Sequence, residues 1–391
     1  MATVLVTDAK QRKSVPIIRS LGRQGIPVVA GDDARFSMGF FSKYCTKAMI
    51  YPAPDKEPAK FMEWLLAKAR EGSFDILYAI DERTLDVVTR YHEEITQYVS
   101  FPSPNFVTYI KARDKGNTLT LAQSLGIPSP RTICLDNLKN LKQTAKLLTF
   151  PAVIKPRLSS GSRGLAYVRS IHELEVTCQR IYQDYGGMVI QEYLPPGGGT
   201  FGVEVLMHWD GKPRATFVHR RLREYPVNGG PSTLRESLAA PDLVELGVRL
   251  LQAMEWVGVA MVEFKVDPRD GIPKLMEVNP KFWGSIALPI AAGVDFPYLL
   301  YRMAIDGNVE PVTSFELGVR CRWLVPGDIL HFIFNPDRFK MKPSFFDFWD
   351  DNLYYDLISK DDPGPLWGMF CSALSNLRNP IFWKKHFSRL R

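Results

Sequence analysis

Long apolar runs and paired cysteines are both missing from this sequence of 391 residues. No apolar stretch approaches the roughly 20 residues that a membrane span needs, so we expect no transmembrane helix. The five cysteines are far apart, and none forms a Cys-x-x-Cys pair typical of a zinc or redox site. The first residues lack the basic start and cleavage site of a signal peptide. These absences predict reduced thiols and a cytoplasmic protein.

An excess of one charge sign is missing as well. The 49 lysines and arginines stand against 42 aspartates and glutamates, which leaves a diffuse net charge of +7. So small an excess does not predict nucleic-acid binding, although anionic ligands remain attractive partners. No Gly-x-Gly-x-x-Gly follows the first strand, and no Gly-x-x-x-x-Gly-Lys-Ser/Thr occurs. The sequence therefore disfavours a nicotinamide cofactor and a P-loop.

The order of predicted strands and helices divides the chain into four segments. Strands alternate with helices up to the Pro-rich stretch at 101–104, which is typical of a parallel βαβ sheet. Further on, strands including residues 188–192 predict a largely antiparallel sheet. The predicted segments are an N-terminal βαβ domain (1–104), a central subdomain with a Gly/Ser loop (105–187), a subdomain containing a long hairpin (188–310) and a C-terminal extension (311–391).

The sharpest signal is that hairpin, whose turn is Asp267-Pro-Arg-Asp-Gly271. If its two strands are symmetric about Asp270, Glu263 lies opposite Glu277. Met261 then lies opposite Asn279 on the same face. The opposite face is apolar and consists of Val262, Phe264, Met276 and Val278.

Facing carboxylates repel each other, so the pair needs a cation or a shared proton. The oxygen atoms of Glu263, Glu277 and Asn279, completed by phosphate oxygens, suit Mg²⁺ better than a thiolate-seeking metal. The alternative is an exposed hairpin in which both glutamates are merely solvated.

Two further segments fit phosphate and base recognition. The strand that ends in Lys155 leads into a loop with Ser160, Gly161, Ser162 and Gly164, whose backbone N–H groups can wrap phosphate oxygens. An ordinary surface turn is the alternative. The strand end Gln191-Glu192-Tyr193-Leu194 exposes backbone groups that can contact an adenine edge.

Arginines are concentrated between positions 219 and 235. Arg221, Arg223 and Arg235 are candidates for binding an acidic substrate or an acyl phosphate, and a solvated basic strand is the alternative. His219 is a general base in one interpretation and a structural residue in the other. The run at 81–83 either lines a substrate cleft or caps a helix.

Taken in order, these motifs resemble those of the ATP-grasp superfamily, and the resemblance covers residues 1–310. It is closest to the carbamoyl-phosphate-synthase-like carboxylate–amine ligases. The matching pieces are Asp114-Lys115, Gly126-Ile-Pro128, Ile154-Lys155-Pro156, the loop 159–164, the segment 191–194, Glu263 and Glu277-Val-Asn279-Pro. The resemblance implies an α/β and α+β chain with the ATP-grasp fold, an N-terminal parallel-sheet domain and a C-terminal extension.

The resemblance also implies roles for individual residues. Lys115 and Lys155 would hold the α- and β-phosphates of ATP, and the loop 159–164 would close over the β/γ end. The segment 191–194 would lie at the adenine. The metal ligands would be Glu263, Glu277 and Asn279, holding one or two Mg²⁺ ions or Mn²⁺.

Two positions depart from the pattern. Many relatives carry an acidic residue for the ribose hydroxyls soon after residue 194. Here Thr200 stands at the nearest position, and Glu204 is a candidate substitute. Many relatives carry an arginine where this sequence has Lys281. Lysine keeps the positive charge but cannot form the bidentate hydrogen bonds of arginine.

The function implied is an ATP-dependent ligase that activates a small-molecule carboxylate as an acyl phosphate and joins it to an amine. A phosphoryl transferase and a non-catalytic nucleotide-binding sensor or scaffold are the alternatives. The resemblance suggests a homodimer. Residues 378–391 hold five lysines and arginines, no acid and several aromatics, which predicts either weak contact with an anionic membrane surface or packing on the protein.

Overall fold

The computed structural model describes residues 1–139, 141–161, 163–227 and 229–377. The chain packs into two compact units. The first consists of Met1–Phe106, Lys281–Glu310 and the described part of Tyr354–Arg391. The second consists of Val107–Pro280 and Pro311–Leu353. The predicted membrane contact of residues 378–391 lies outside the described residues.

Helices and strands alternate along most of the chain. The helices are α1 (Ser14–Arg23), α2 (Pro58–Arg70), α3 (Glu82–Val88), α4 (His92–Ile95), α5 (Phe106–Arg113), α6 (Lys115–Ser124), α7 (Leu141–Ala145), α8 (Ile171–Tyr185), α9 (Pro241–Ala253), α10 (Ala287–Ala291), α11 (Phe296–Asp306), α12 (Ile329–Phe334) and α13 (Gly364–Leu377). The strands are β1 (Val4–Val6), β2 (Val28–Asp32), β3 (Cys45–Ile50), β4 (Ile76–Tyr78), β5 (Thr132–Leu135), β6 (Ala152–Pro156), β7 (Ala166–Val168), β8 (Met188–Glu192), β9 (Thr200–Met207), β10 (Pro213–Glu224), β11 (Ser232–Ser237), β12 (Gly258–Val266), β13 (Pro273–Asn279), β14 (Arg320–Arg322) and β15 (Leu353–Tyr355). Short helical turns cover Met38–Phe41, Thr89–Tyr91 and Leu324–Asp328.

A four-stranded parallel sheet forms the centre of the first unit, in the order β3-β2-β1-β4. Strands β1 and β2 are buried along their whole length, because their residues are nearly all apolar and helices cover a parallel sheet on both faces. Helix α1 connects β1 to β2. This arrangement confirms the βαβ unit predicted from the sequence.

The second unit contains a four-stranded antiparallel sheet in the order β5-β8-β6-β7. Its apolar face packs with helix α8 through Leu174, Cys178 and Ile181. The sequence analysis placed residues 188–192 in the later sheet, and this prediction is wrong. Strand β8 pairs with β5 and β6, because Pro195 and the glycines after it break the chain before β9 begins.

A larger sheet of seven strands follows, in the order β13-β12-β9-β10-β11-β14-β15. The pairs from β13 through to β14 are antiparallel, as predicted. Helix α9 packs on one face at Gly247, where a Cβ atom would lie 3.1 Å from Val203 Cγ1. The opposite face carries the polar side chains of the candidate site.

The hairpin of β12 and β13 has the predicted register at three of its pairs. Met261 pairs with Asn279, Val262 with Val278 and Glu263 with Glu277. A register shift then pairs Phe264 with Leu275 instead of Met276. Leu275 is fully buried in consequence, whereas Met276 is only partly buried. A bulge of this kind adds one residue to one strand and leaves no periodic signal in the sequence.

Membrane spans were sought among the helices of the described ranges. No helix there is long and apolar enough to cross a bilayer.

Candidate nucleotide and metal site

One face of the seven-stranded sheet carries six of the predicted site residues of the second unit. Cross-strand partners project to the same side of a sheet, and alternate residues along a strand share that side. The residues placed on this face by the register are Asn279, Met261, Glu277, Glu263, Glu204, Gly202, His219, Arg221, Arg235 and Cys321. On this face, the acidic side chains therefore lie on β13, β12 and β9, and the basic side chains lie on β10 and β11.

The two predicted metal-binding carboxylates have different cationic partners. Glu263 bonds to the Arg221 guanidinium, and Glu277 lies 3.3 Å from Lys115 Nζ. Burial raises the pKa of Glu263 against the opposing effect of Arg221, and the charge of Glu277 raises it further. Burial also acts to raise the pKa of Glu277, but Lys115 and Lys155 outweigh that effect and lower it. The pair is stabilised by surrounding cations, as facing carboxylates require.

Lys115 is positioned by the start of helix α6. Asp114 caps the helix, because its carboxylate accepts hydrogen bonds from the backbone N–H groups of Gly116 and Asn117. The Lys115 ammonium donates to the carbonyl oxygen of Ser159 at 2.5 Å. Lys115 thus connects the loop that begins at Ser159 with Glu277 of the hairpin.

Lys155 lies near the end of β6 and is partly buried. Burial lowers its pKa to about 8, and Lys115 adds to this effect. Glu277 and Glu263 act in the opposite direction, which shows that both carboxylates lie within electrostatic reach of the amine. The structure therefore brings Lys155 together with Lys115, Glu263 and Glu277.

The loop after Lys155 has the backbone shape that its glycines predict. Gly161 and Gly164 both have positive φ angles, +61° and +72°. A Cβ atom at Gly164 would lie 2.6 Å from Pro156 Cγ, so glycine is required there for space as well as for conformation. Ser160 accepts hydrogen bonds from the Arg163 side chain through its hydroxyl and its carbonyl oxygen. Ser162 lies outside the described residues.

The predicted adenine segment, 191–194, lies at the end of β8. Gln191 is buried and donates to the Thr132 hydroxyl at 2.9 Å, and Leu194 is also buried. Glu192 lies 3.3 Å from Lys274 Nζ. The Tyr193 ring packs edge-on against Tyr167 with ring centroids 5.8 Å apart.

Glu204 and His219 form a fully enclosed pair in the centre of the face. His219 Nδ1 lies 2.5 Å from a carboxylate oxygen of Glu204, and both side chains are almost completely buried. Burial raises the pKa of Glu204 well above its usual value and lowers that of His219. Gly202 leaves room for the imidazole, because a Cβ there would lie 2.4 Å from His219 Cε1. The geometry gives His219 a structural contact and leaves Glu204 away from solvent.

The three candidate arginines do not lie together. Arg221 is at Glu263, and Arg235 is fully buried with a guanidinium nitrogen 3.5 Å from Cys321 Sγ. Arg223 lies on the opposite face, because a register shift between Arg221 and Arg223 reverses the alternation. Its guanidinium is 2.9 Å from Asp328 and also donates to the Pro343 carbonyl oxygen.

Lys281 belongs to the first unit, where it forms an ion pair with Glu82. Burial lowers the pKa of Lys281 to about 7, helped by Lys13, while Asp81 opposes the shift. Asp81 lies 3.1 Å from Lys13 Nζ. The segment at 81–83 therefore takes part in a charged cluster at the carboxyl end of β4.

Two residues that touch this site escaped the sequence analysis. Arg157 forms ion pairs with Asp114 at 2.9 Å, which fixes the cap of α6. Lys265 donates to the carbonyl oxygen of Leu194 at 2.7 Å. Both follow a predicted residue by two positions, at Lys155 and Glu263, so alternation along the strand could have indicated them.

The donor set fits a hard divalent cation. In the part of the chain that the structure describes, no group of three or more His, Cys, Asp or Glu residues could hold a metal. Glu263, Glu277 and Asn279 instead offer two carboxylates and one amide on adjacent strands. Such a set leaves coordination positions for phosphate oxygens, as Mg²⁺ in nucleotide sites does.

Comparisons with known proteins show what this chain is similar to. Residues 184–325 match the family described as ATP-grasp in the biosynthetic pathway with Ter operon. A D-aspartate ligase from Enterococcus faecium is 24% identical over 256 residues, covering 59% of this chain and 59% of that protein. A D-alanine–D-alanine ligase from Stutzerimonas stutzeri is 29% identical over 221 residues, covering 51% and 66%. The structure of a biotin carboxylase complex from Campylobacter jejuni has a TM-score of 0.67 at 16% identity, covering 82% of this chain and 74% of that one.

These matches give the class that the chain resembles: residues 184–325 are similar to an ATP-grasp family, and the chain has the fold of the biotin carboxylase. This confirms the fold and the family resemblance that the motifs predicted. The chain spans less than two thirds of the length of either relative named above.

Proposed function

We propose that this protein is an ATP- and Mg²⁺-dependent ligase that activates a carboxylate as an acyl phosphate and joins it to an amine. The observation that carries the proposal is the pair Glu263 and Glu277, directly opposite each other and held among Lys115, Lys155 and Arg221. Both relatives described above are named as ligases of D-amino acids, which supports an amino acid as one substrate.

In the second unit, cationic residues would bind phosphate and acidic residues would bind metal. Lys115 and Lys155 bind phosphate oxygens, and the loop 159–164 covers them and excludes water. Glu263, Glu277 and Asn279 would hold one or two Mg²⁺ ions, or Mn²⁺. The bound metal would neutralise charge on the phosphates as the terminal phosphoryl group moves. When nucleotide and metal bind, Lys115 and Arg221 would exchange their carboxylate contacts for phosphate contacts.

The remaining roles belong to the same proposal. The backbone of 191–194 would hold the adenine, with Lys265 beside it. Arg221 would bind the acid or the acyl phosphate. We assign no substrate contact to Arg223, because it lies on the opposite face of the sheet, where it pairs with Asp328. Lys281 and Arg235 stay candidates for the acyl phosphate, and Glu204 for the ribose. A cytoplasmic location and a homodimer complete the proposal.

The test is release of ADP and phosphate from Mg-ATP across pools of carboxylic acids and amines, beginning with D-amino acids. Glu277→Gln keeps the size of the side chain and removes its charge, so turnover should fall about 100-fold or more. Glu245→Gln is the matched control, because Glu245 is exposed on α9, and it should retain full turnover. ADP release that needs no amine, or that survives in Glu277→Gln, would overturn the proposal.

A further inference from the structure

Two lysines lie side by side on the hairpin that carries the candidate metal ligands. Lys265 of β12 and Lys274 of β13 are cross-strand partners, so their side chains leave the hairpin on the same side. Like charges in this arrangement repel each other unless each ammonium has an acceptor. The acceptors lie in the 191–194 segment and in the turn of the hairpin. These two residues are called the lysine pair.

Lys265 contacts the end of the 191–194 segment. Its ammonium donates to the carbonyl oxygen of Leu194 at 2.7 Å, although the two residues are 71 positions apart in the sequence. The Tyr193 ring is also near, with its centroid 5.9 Å from Lys265 Nζ. Lys265 therefore holds the segment through a backbone group and not through a particular side chain.

Lys274 contacts the same segment through Glu192. Lys274 Nζ lies 3.3 Å from the Glu192 carboxylate. The same ammonium donates to the Asp267 carboxylate at 2.8 Å and lies 3.3 Å from that of Asp270, and both aspartates belong to the turn of the hairpin. The Asp267 side chain is fully buried, and that of Lys274 is largely buried. Lys274 thus bridges the turn to the 191–194 segment.

The loop between the 191–194 segment and β9 also packs on the hairpin. It ends at Thr200, which is the cross-strand partner of Lys265 on β9. A Cβ atom at Gly198 would lie 2.0 Å from the Val266 carbonyl oxygen, so glycine is required for this close approach. The Val266 N–H donates to the Gly199 carbonyl oxygen at 3.1 Å. The loop is therefore joined to β12 at its start by the Lys265 ammonium and at its end by strand pairing.

The same two strands carry the candidate metal-binding carboxylates. Glu263 precedes Lys265 by two positions, and Glu277 follows Lys274 by three. Residues two apart on a strand point to the same side and lie about 7 Å from each other. The hairpin is thus one continuous element that contacts the 191–194 segment near its turn and carries the two carboxylates further along.

We propose that the lysine pair positions the 191–194 segment relative to the metal site, so that the base and the phosphates of one ATP molecule are bound together. The inference rests on the proposed function, which assigns the base to 191–194 and the metal to Glu263 and Glu277. Base and phosphates are covalently joined in ATP, so a shift of the segment away from the hairpin weakens binding of the whole nucleotide. Lys265 and Lys274 are positioning residues, because they act through the segment and not on the nucleotide.

The test is calorimetric titration of the full chain with two ligands, Mg-ATP and the Mg²⁺ complex of inorganic triphosphate, which has no base. Lys265→Met removes the ammonium and keeps a long side chain, so affinity for Mg-ATP should fall about tenfold while affinity for triphosphate stays unchanged. Lys265→Arg should restore most of the ATP affinity, because arginine still donates to a carbonyl oxygen. Lys274→Met should act in the same direction as Lys265→Met. Lys212→Met, at an exposed lysine between β9 and β10, should change neither affinity.

Three results would overturn the proposal. An equal loss of ATP and triphosphate affinity in the folded Lys265→Met variant would mean that this lysine contacts phosphate. Unchanged ATP affinity in both methionine variants would mean that the segment needs neither lysine, and a wild-type chain that binds no Mg-ATP would overturn the proposal as well. Thermal unfolding shows whether each variant is folded, and Lys274→Met provides the test if Lys265→Met is not. Failure of the ligase is seen separately, as Mg-ATP binding with the expected variant effects but without ADP release from any pool of acids and amines.

Discussion

The pKa of each ionisable side chain in the candidate site depends on the cations and carboxylates around it. Lys115 and Lys155 lower the pKa of Glu277, which favours its ionised form. Burial and the charge of Glu277 raise the pKa of Glu263. Burial lowers the pKa of Lys155 to about 8, so the charge of this amine changes just above neutral pH. A phosphate group needs this amine in its protonated form.

ATP affinity should therefore depend on pH through Lys155. The ammonium is protonated below its pKa, so affinity should be constant at neutral pH and fall by up to about tenfold per pH unit above about 8. Lys155→Arg keeps its charge across this range and should flatten the profile. Lys139→Arg, at an exposed lysine, should leave the profile unchanged. Calorimetric titration with Mg-ATP from neutral pH to about pH 9.5 measures this, and an equal slope in Lys155→Arg would contradict the role.

At the scale of elements, the loop after β6 depends on two glycines for different reasons. Gly161 needs only a positive φ angle, since nothing lies within 4 Å of a Cβ there. Gly164 needs the same conformation and is also in contact with Pro156 and Tyr185. The sequence showed that the loop is rich in small residues but could not show this difference, because the Tyr185 contact comes from α8.

Alanine substitutions should separate the two requirements. Gly161→Ala should cost about 1 kcal/mol for the left-handed backbone alone. Gly164→Ala should cost about 2 to 4 kcal/mol, because the backbone strain is joined by overlap with the Pro156 and Tyr185 side chains. Chemical denaturation gives both values, and the KM for ATP shows whether the loop has moved. Equal costs would mean that the loop relaxes freely at both positions.

The sequence predicted strand pairing and the buried face correctly where a single local pattern determines them. The turn residues after Val266 fixed three hairpin pairs, and apolar alternation identified the buried face. The sequence could not predict the bulge that places Leu275 instead of Met276 opposite Phe264. Nor could it predict the bulge that puts Arg223 and Arg221 on opposite faces of the sheet. Bulges depend on packing between strands, which a single segment does not encode.

Across the whole chain, the two compact units are not continuous in sequence. Residues 281–310 and the described residues after 353 pack with the N-terminal sheet. Nothing local indicates this, since it depends on ion pairs such as Arg19 with Asp362 across 343 positions. The four predicted functional segments stay a prediction, because the units divide the chain by packing alone.

The buried pair of Arg19 and Asp362 should contribute strongly to stability. Arg19→Ala leaves a buried carboxylate without its main partner and should destabilise the protein by about 3 to 5 kcal/mol. The Arg23–Asp361 pair is exposed on both sides, so Arg23→Ala should cost less than about 1 kcal/mol. Chemical denaturation compares the two variants. A small effect of Arg19→Ala would show that this ion pair does not hold the segment before α13 in place.

The central claim is that a carboxylate is activated by phosphoryl transfer from ATP. When a carboxylate oxygen attacks the terminal phosphorus, that oxygen leaves with phosphate once the amine has displaced it. The most direct measurement uses an acid substrate labelled with oxygen-18 in its carboxylate and analyses the released phosphate by mass spectrometry. The account predicts one labelled oxygen in each phosphate that accompanies product. Unlabelled phosphate formed together with the ligated product would contradict it.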